Sequence, residues 1–326
     1  REELARTKAN HRALHWAQAR TYAALLCDRD GLEAITVALV YFDLESGEET
    51  VLEERQTRAG LQATFHALCQ AFLGWARQEE AHRAQRNAQL ALLRFPHAGF
   101  RDGQRKLSSD VYRAAATRRC LIAQAPTGIG KTLATTYPLL RGLAAHGTDK
   151  IFFLSAKTPG RRIALDALAQ LHHQGDLRVL ELTPPSTPCE PPGASCIRES
   201  CSLAKGFYDR LPQARQAAAD GRWLDRAALR RLALTHELCP YYLAQEMVRW
   251  SDVVVADYNH YFDGSALLHA LTREEEWQVA VLVDEAHNLV DRGRAMYSAT
   301  LTLQALDAAL PHAPTFVQAV HRRLRR

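Results

Sequence analysis

The segment APTGIGKT at residues 125–132 sets Gly128 and Gly130 one residue apart and follows them directly with Lys131 and Thr132. A loop of this kind between a strand and a helix lets backbone amides converge on phosphate oxygens at the positive end of the helix dipole. Lys131 would reach the outer phosphates, Thr132 would offer its hydroxyl to Mg²⁺, and Thr127 and Ile129 complete the candidate loop. Ala125 stands where the strict pattern begins with Gly. A second segment, VAVLVDEAHNL at residues 279–289, ends an apolar run on Asp284 and Glu285. Carboxylates at the carboxyl end of a strand suit a metal site and a water-activating group, which we assign to Asp284 and Glu285 respectively. His287 either couples the nucleotide site to a second ligand or serves as a capping or packing histidine.

A third constellation is the series Cys189, Cys196, Cys201 and Cys239, with six, four and thirty-seven residues between successive members. Four thiolates can close a tetrahedral site around zinc or hold an iron–sulfur cluster, and the spacing leaves both open. Around them lie Arg198, Lys205, Arg210, Arg215, Arg222, Arg226, Arg230, Arg231 and Arg249, interleaved with Phe207, Tyr208, Trp223, Tyr241 and Tyr242. Cations beside aromatic rings suit single-stranded nucleic acid, through phosphate neutralisation and base stacking; a solvated helical face is the other account of the arginines.

These groups need elements to position them. Apolar residues at helical spacing over 10–27 predict a first helix, and the runs ITVALVYFDL and ETVLEERQT around ESGE predict a hairpin. A long helix follows from about Gly60 to Leu93, broken by FPHAGF at 95–100, where we place a domain boundary. Beyond it the rhythm is α/β. A helix over 104–117 leads to a strand CLIAQ at 120–124, and a helix runs from Lys131 towards His146. Strands then follow at 151–155, 178–182, 252–257 and 279–284. Continuous apolar strands separated by helices predict a parallel sheet covered on both faces. The Pro- and Cys-rich stretch TPPSTPCEPPGASC, with the Arg-rich helices after it, reads as an insertion between Pro184 and Trp250.

Length and composition bound the rest. The 326 residues suffice for about two domains, and 47% hydrophobic with 24% charged residues is a globular mixture rather than a disordered one. The longest apolar runs fall far short of the roughly 20 residues of a membrane span. No secretory signal precedes the seven cysteines, which argues against a disulfide framework. A net charge of +5 is compatible with a polyanionic partner without demonstrating one. The chain opens without Met and closes on HRRLRR in what reads as mid-helix, so a fragment of a longer protein is expected.

With those residues in hand, the sequence resembles the iron–sulfur helicases of superfamily two, the group containing XPD and DinG, over about residues 95–326. FRDGQ at 100–104 looks like that family's adenine-reading motif, with Arg101 and Gln104 as the implied contacts. LSAKT at 154–158 falls where the family touches the DNA backbone, which implies Ser155, Lys157 and Thr158. CPYYLAQEMVRWSDVVVADYNHYFD is the most diagnostic single match, and DEAH completes the set. The resemblance implies a RecA-like motor, a four-iron four-sulfur cluster on the four cysteines, ATP and Mg²⁺ as further cofactors, and 5′-to-3′ translocation on single-stranded DNA. QARTY at 18–22, with the helix and hairpin around it, resembles the end of a RecB-type PD-(D/E)xK nuclease domain, with Gln18 and Tyr22 as its remnant.

The implied organisation is a partial nuclease-like α+β domain at 1–94, a motor domain at 95–183 and 251–297, a cluster domain inserted at 184–250, and the start of an arch domain at 298–326. The expected function is an ATP-driven DNA helicase of DNA repair or recombination, acting on single strands and junctions. It is expected in the bacterial cytoplasm or wherever its DNA lies, without secretion or membrane attachment, and its protein partners are unknown. Lacking the second motor domain, the piece is expected to bind nucleotide weakly and to turn it over poorly. Two other readings stay open: a zinc-stabilised P-loop module whose nucleotide state gates a protein partner, and a helicase–nuclease in which cutting leads.

Overall fold

A computed structural model describes residues 9–44, 46–183 and 201–309. The chain divides into two compact units, one ending at Arg86 and the other beginning at Asn87.

The first unit opens with helix α1, Ala9–Asp30, followed by β1, Ala34–Phe42, and β2, Glu49–Thr57. The strands form the expected antiparallel hairpin, in register from Ala34 opposite Thr57 to Phe42 opposite Glu49. Ala23, Ala24 and Cys27 of α1 close on Val37 of β1 and on Leu61 of the next helix to make a small core. Arg20 forks both oxygens of Glu54 at 2.5 and 2.7 Å, which fixes α1 over the hairpin.

Helix α2, Arg58–Ala91, runs past the division. Its last turn carries Leu90, which together with Leu93 just beyond is buried in the core of the second unit. The division therefore falls inside the helix, several residues before the Pro-containing break at which the sequence suggested it.

The second unit contains α3, Gln104–Ala116; α4, Lys131–Gly142; β3, Lys150–Ser155; α5, Thr158–His172; and β4, Val179–Glu181. After these come α6, Phe207–Gly221; β5, Trp223–Leu224; α7, Arg226–Thr235; α8, Pro240–Met247; and β6, Val253–Ala256. The described part ends with α9, Asn259–Phe262; α10, Leu267–Glu274; β7, Val279–Asp284; a short 3-10 turn, Ala286–Asn288; α11, Leu289–Met296; and α12, Leu303–Ala309. Five strands pair in the order β5-β4-β6-β3-β7, all parallel.

Alternation along the strands divides the core in two. Phe152, Leu154, Leu180, Val254 and Ala256 point to one face, where α6, α7, α8 and α10 cover them. Ile151, Phe153, Val179, Val253 and Val255 point to the other, beneath α4 and α5. Burial on both faces explains why these strands read as unbroken apolar runs. The described part of the suspected insertion packs onto this same sheet, and its Trp223–Leu224 forms the edge strand β5.

One expected strand is absent. Residues 120–124 are not in the sheet, and Leu121 and Ile122 are 42% and 93% exposed. Apolar and β-branched content favours a strand, but a strand exists only through a neighbour's ladder. β7 is an edge of this sheet, half-buried throughout, and no described strand pairs with its outer side.

Helices α3 and α4 are joined by a compensation. Pro138 inside α4 has no N–H to give the Ala134 carbonyl, and Ser108 of α3 donates to that carbonyl at 3.0 Å instead.

Candidate nucleotide site

The phosphate loop ends on α4. Gly128 and Gly130 adopt φ of 85° and 82°, a region that costs a residue with a Cβ about 1–2 kcal/mol. Among the described residues no side chain caps the N-terminus of α4, so the first-turn amides are not met by a capping group. Thr132, in the first turn, has a hydroxyl that no described residue engages. Such a cradle fits the phosphates of a nucleotide with its Mg²⁺.

Parallel pairing of β3 with β7 sets Ser155 beside Asp284 at the carboxyl ends of the two strands. The next residue, Glu285, turns into the left-handed region at φ 53° and meets Lys131 at 3.0 Å. Residues separated by 154 positions are thus joined into one site. The Lys131 hydrogen bond holds the Glu285 carboxyl below the ordinary carboxylate range. Burial, reinforced by the Glu285 charge and opposed by Lys131, pushes the Asp284 carboxyl up. His287 is exposed and sits 3.4 Å from the other Glu285 oxygen.

The adenine-motif candidates lie against the loop. Arg101 donates to the Gly128 carbonyl at 2.5 Å, and the Gln104 amide donates to the Gly130 carbonyl at 3.2 Å. A side chain at Gly130 would collide with that Gln104 amide, and one at Gly103 would meet Ile129 at 2.9 Å. The two motifs, 21 or more residues apart, are therefore packed backbone to side chain; Gly103 was not singled out from the sequence.

Sequence reasoning also missed Tyr258. This fully buried ring follows β6, and its hydroxyl donates to the Asp284 carbonyl and, at 3.0 Å, to that of Glu285. Burial, with the charges of Asp284, Glu285 and Asp257, pushes the phenol up to about 12, so it remains a donor at all ordinary pH. The apolar run two residues before it was visible, but nothing local marked Tyr258 as a partner of residues 26 and 27 positions away. Beside it, Arg292 binds Asp257 at 2.6 Å and Asn259 at 2.8 Å, tying α11 to the end of β6.

Ser155 is buried and donates to the Lys157 carbonyl at 3.2 Å, while Thr158 accepts from Arg161 at 3.0 Å. Lys157 precedes α5 with its side chain exposed, making it the best presented of the three candidate DNA contacts.

Of the candidate cluster ligands, Cys189 and Cys196 lie outside the described residues. Cys201 is buried, and the Cys239 amide donates to the Leu203 carbonyl at 3.0 Å, holding the two thiol-bearing segments together. Cys239 also occupies the N-cap of α8. The donor chemistry of Cys201 and Cys239 suits two of the four positions of a thiolate site. Among the described residues no group of three or more metal-ligating side chains assembles.

Several of the arginines read as nucleic-acid contacts prove structural. Arg210 donates to the carbonyls of Ser202, Lys205 and Glu237; Arg215 approaches Glu246 and lies over Trp250; Arg222 pairs with Asp176; and Arg249 with Glu274 and Glu275. Positive charge in the sequence could not distinguish a guanidinium that ties loops together from one offered to a ligand. In the first unit, Gln18 and Tyr22 lie one turn apart on α1, both exposed.

Fold and site define a class: a parallel α/β sheet with a glycine loop opening a helix and an acidic pair at the carboxyl end of a strand. Residues 177–306 match the protein-family model described as DEAD_2, under half of the chain. Over 88 residues the chain is 34% identical to the ATP-dependent DNA helicase chl1 of Neosartorya fischeri and 32% identical to that of Aspergillus clavatus. Each match covers 27% of this chain but only 10% and 12% of those proteins. Two solved structures are also similar. An XPD helicase gives a TM-score of 0.46 at 20% identity, covering 70% of this chain and 40% of that one. A truncated XPD gives 0.43 at 19%, covering 67% and 63%. Among the described residues no helix is long and apolar enough to cross a membrane.

Proposed function

We propose that this chain is the nucleotide-binding part of an ATP-dependent DNA helicase of the iron–sulfur type. The observation that carries the reading is the closure of Lys131 on Glu285 at 3.0 Å, beside a glycine loop that opens an uncapped helix. Gly128, Gly130 and the first turn of α4 would hold the phosphates, Arg101 and Gln104 the base, and Thr132 and Asp284 the Mg²⁺. Bound phosphate competes with Glu285 for Lys131, which frees the Glu285 carboxylate to orient the attacking water. The likeness to the chl1 helicases and to the DEAD_2 model supports DNA as the substrate. The 5′-to-3′ direction and a role in repair rest on the resemblance of the motifs.

Cys189, Cys196, Cys201 and Cys239 would bind a four-iron four-sulfur cluster, which would cross-link the segments that carry them. Cys239 links it to the motor, because α8 leads directly into β6 and so to Tyr258. The N-terminal unit is read as the remnant of a nuclease-like domain marked by Gln18 and Tyr22.

The test measures binding of a fluorescent ATP analogue to the chain purified without oxygen, with Mg²⁺ and single-stranded DNA each varied, alongside iron and zinc content. The reading requires Mg²⁺-dependent nucleotide binding abolished by Lys131→Ala, DNA binding, and iron in excess of zinc. Stoichiometric zinc without DNA binding would point to the nucleotide-gated module.

A further inference from the structure

A cavity of about 500 Å³ opens between α3 and α4, away from the phosphate loop. Tyr137 and Arg141 of its wall lie in the second half of α4, about 9 Å or more along the axis from Lys131 at a rise of about 1.5 Å per residue. On the α3 side the wall is one helical face, from Arg105 through Tyr112 and Arg113, and Phe100 closes one end.

Its chemistry is of two kinds. Phe100 stacks on Phe95 at 4.0 Å, and Tyr137 stands edge-on to Phe95 at 5.4 Å, so that wall is a braced aromatic surface. Opposite, the Tyr112 ring is set against His146 at 4.6 Å, and a Cβ at Gly142 would crowd the same two rings. The Ser108 bond to the Ala134 carbonyl fixes the spacing of the helices, so the space is preformed.

The remaining lining is cationic. Arg105, Arg113 and Arg141 contribute guanidiniums, and among the described residues no carboxylate lines the cavity. Arg141 donates to the Leu93 carbonyl at 2.5 Å, a bond that leaves its charge uncompensated. Asp110 stands nearby, shared between Lys106 at 3.1 Å and Arg113 at 3.4 Å. Arg105 has no side-chain partner among the described residues. Counting Lys106, which does not line the cavity, there are four cations to one nearby carboxylate.

We infer that this cavity is a second contact for single-stranded nucleic acid, taking one unstacked base against Tyr112 and the Phe100–Tyr137 wall and its flanking phosphates on Arg105 and Arg113. Flat aromatic walls suit a base, and guanidiniums at the mouth, with Arg113 only sharing Asp110 with Lys106, suit phosphates. The volume lies in the usual range for such ligands. The inference rests on the reading of this chain as one that acts on DNA, and it adds a contact separate from the candidates Ser155, Lys157 and Thr158.

The experiment uses the whole chain with fluorescent oligo(dT), measuring anisotropy across a salt series, followed by ultraviolet cross-linking and mapping of the attached peptides. Tyr112→Ala should weaken binding roughly fivefold to a hundredfold through loss of one stack. Arg105→Ala, at an exposed position, should lower the salt slope by about one phosphate contact. Cross-links should map to residues 100–116 or 137–141, and ATP-analogue affinity should stay at the wild-type value in both variants. If the chain binds oligo(dT) while both variants bind it equally well and cross-links fall only elsewhere, the second contact is refuted and the helicase reading stands. A chain that binds no DNA at all removes both. Displacement of oligo(dT) from the wild type, but not from Tyr112→Ala, by polyglutamate at matched charge would make the cavity an acidic-polypeptide site and overturn the assignment.

Discussion

Replacing Tyr258 by Phe isolates what one hydroxyl does for the acidic pair. The ring is fully buried and its hydroxyl serves the carbonyls of both Asp284 and Glu285. Phe keeps the packing and leaves two carbonyls without that donor, a loss of about 1–3 kcal/mol. At roughly 2–4 °C per kcal/mol for a unit of this size, a loss of about 2 kcal/mol lowers Tm by about 4–8 °C. The functional consequence follows from the backbone. Glu285 sits at φ 53°, strained by about 1–2 kcal/mol for a residue with a side chain, and the Tyr258 bond is one of the contacts that hold it there. Released, the acidic pair relaxes and Asp284 moves from the position where it would meet Mg²⁺. Nucleotide affinity measured without metal should therefore match wild type, while the extra affinity conferred by Mg²⁺ falls about tenfold, or about 1.4 kcal/mol. The assay is titration of a fluorescent ATP analogue with and without Mg²⁺, paired with thermal melting. A variant that melts lower but keeps the full Mg²⁺ gain would show Tyr258 to be structural only; equal weakening with and without metal would refute the positioning argument outright.

Four other outcomes follow. Glu285→Gln removes the Lys131 partner, a partly exposed pair contributing about 0–1 kcal/mol, so stability should barely change while nucleotide binds at least as tightly and any hydrolysis is lost; weaker binding would count against competition between Glu285 and phosphate. Asp284 has a raised folded-state pKa, so its contribution to stability is present at acid pH and is lost as pH rises through that value, whereas the lowered pKa of Glu285 works in the opposite sense. Asp284→Asn should accordingly raise Tm at neutral pH and lose that advantage as the solution is taken below the ordinary carboxylate range, which a set of melts over pH would test. Gly130→Ala places a Cβ on the Gln104 amide at φ 82°, and should destabilise the chain by at least about 1–2 kcal/mol and abolish ATP-analogue binding. Lys131→Ala should end nucleotide binding with iron content unchanged, and Cys239→Ser should do the reverse; loss of iron in the lysine variant would break the picture of two separate sites.

Much of this protein was legible from local pattern. Glycine spacing before Lys131, acidic residues at the end of VAVLV, and continuous apolar runs are short-range features, because a phosphate cradle and a doubly covered strand are each built from consecutive residues. The hairpin and the parallel sheet were read on the same grounds. Three things lay beyond reach. Residues 120–124 have strand composition, but whether a run pairs is decided by how the fold places it, and these residues stay outside the sheet although no described strand pairs with the outer side of β7. Arg210 and Arg222 look like nucleic-acid ligands until the fold brings the Glu237 carbonyl and Asp176 to them. Tyr258 acquires its role only because β6 and β7 both flank β3, which sets the end of one beside the end of the other. The sequence by itself determined the chemistry available, since side-chain type and near-neighbour spacing are properties of the chain. Tertiary structure alone decided which of those groups meet, because Lys131 and Glu285, Ser108 and Ala134, and Tyr258 and Asp284 become neighbours only when the sheet has chosen its strand order and the helices have packed on its faces.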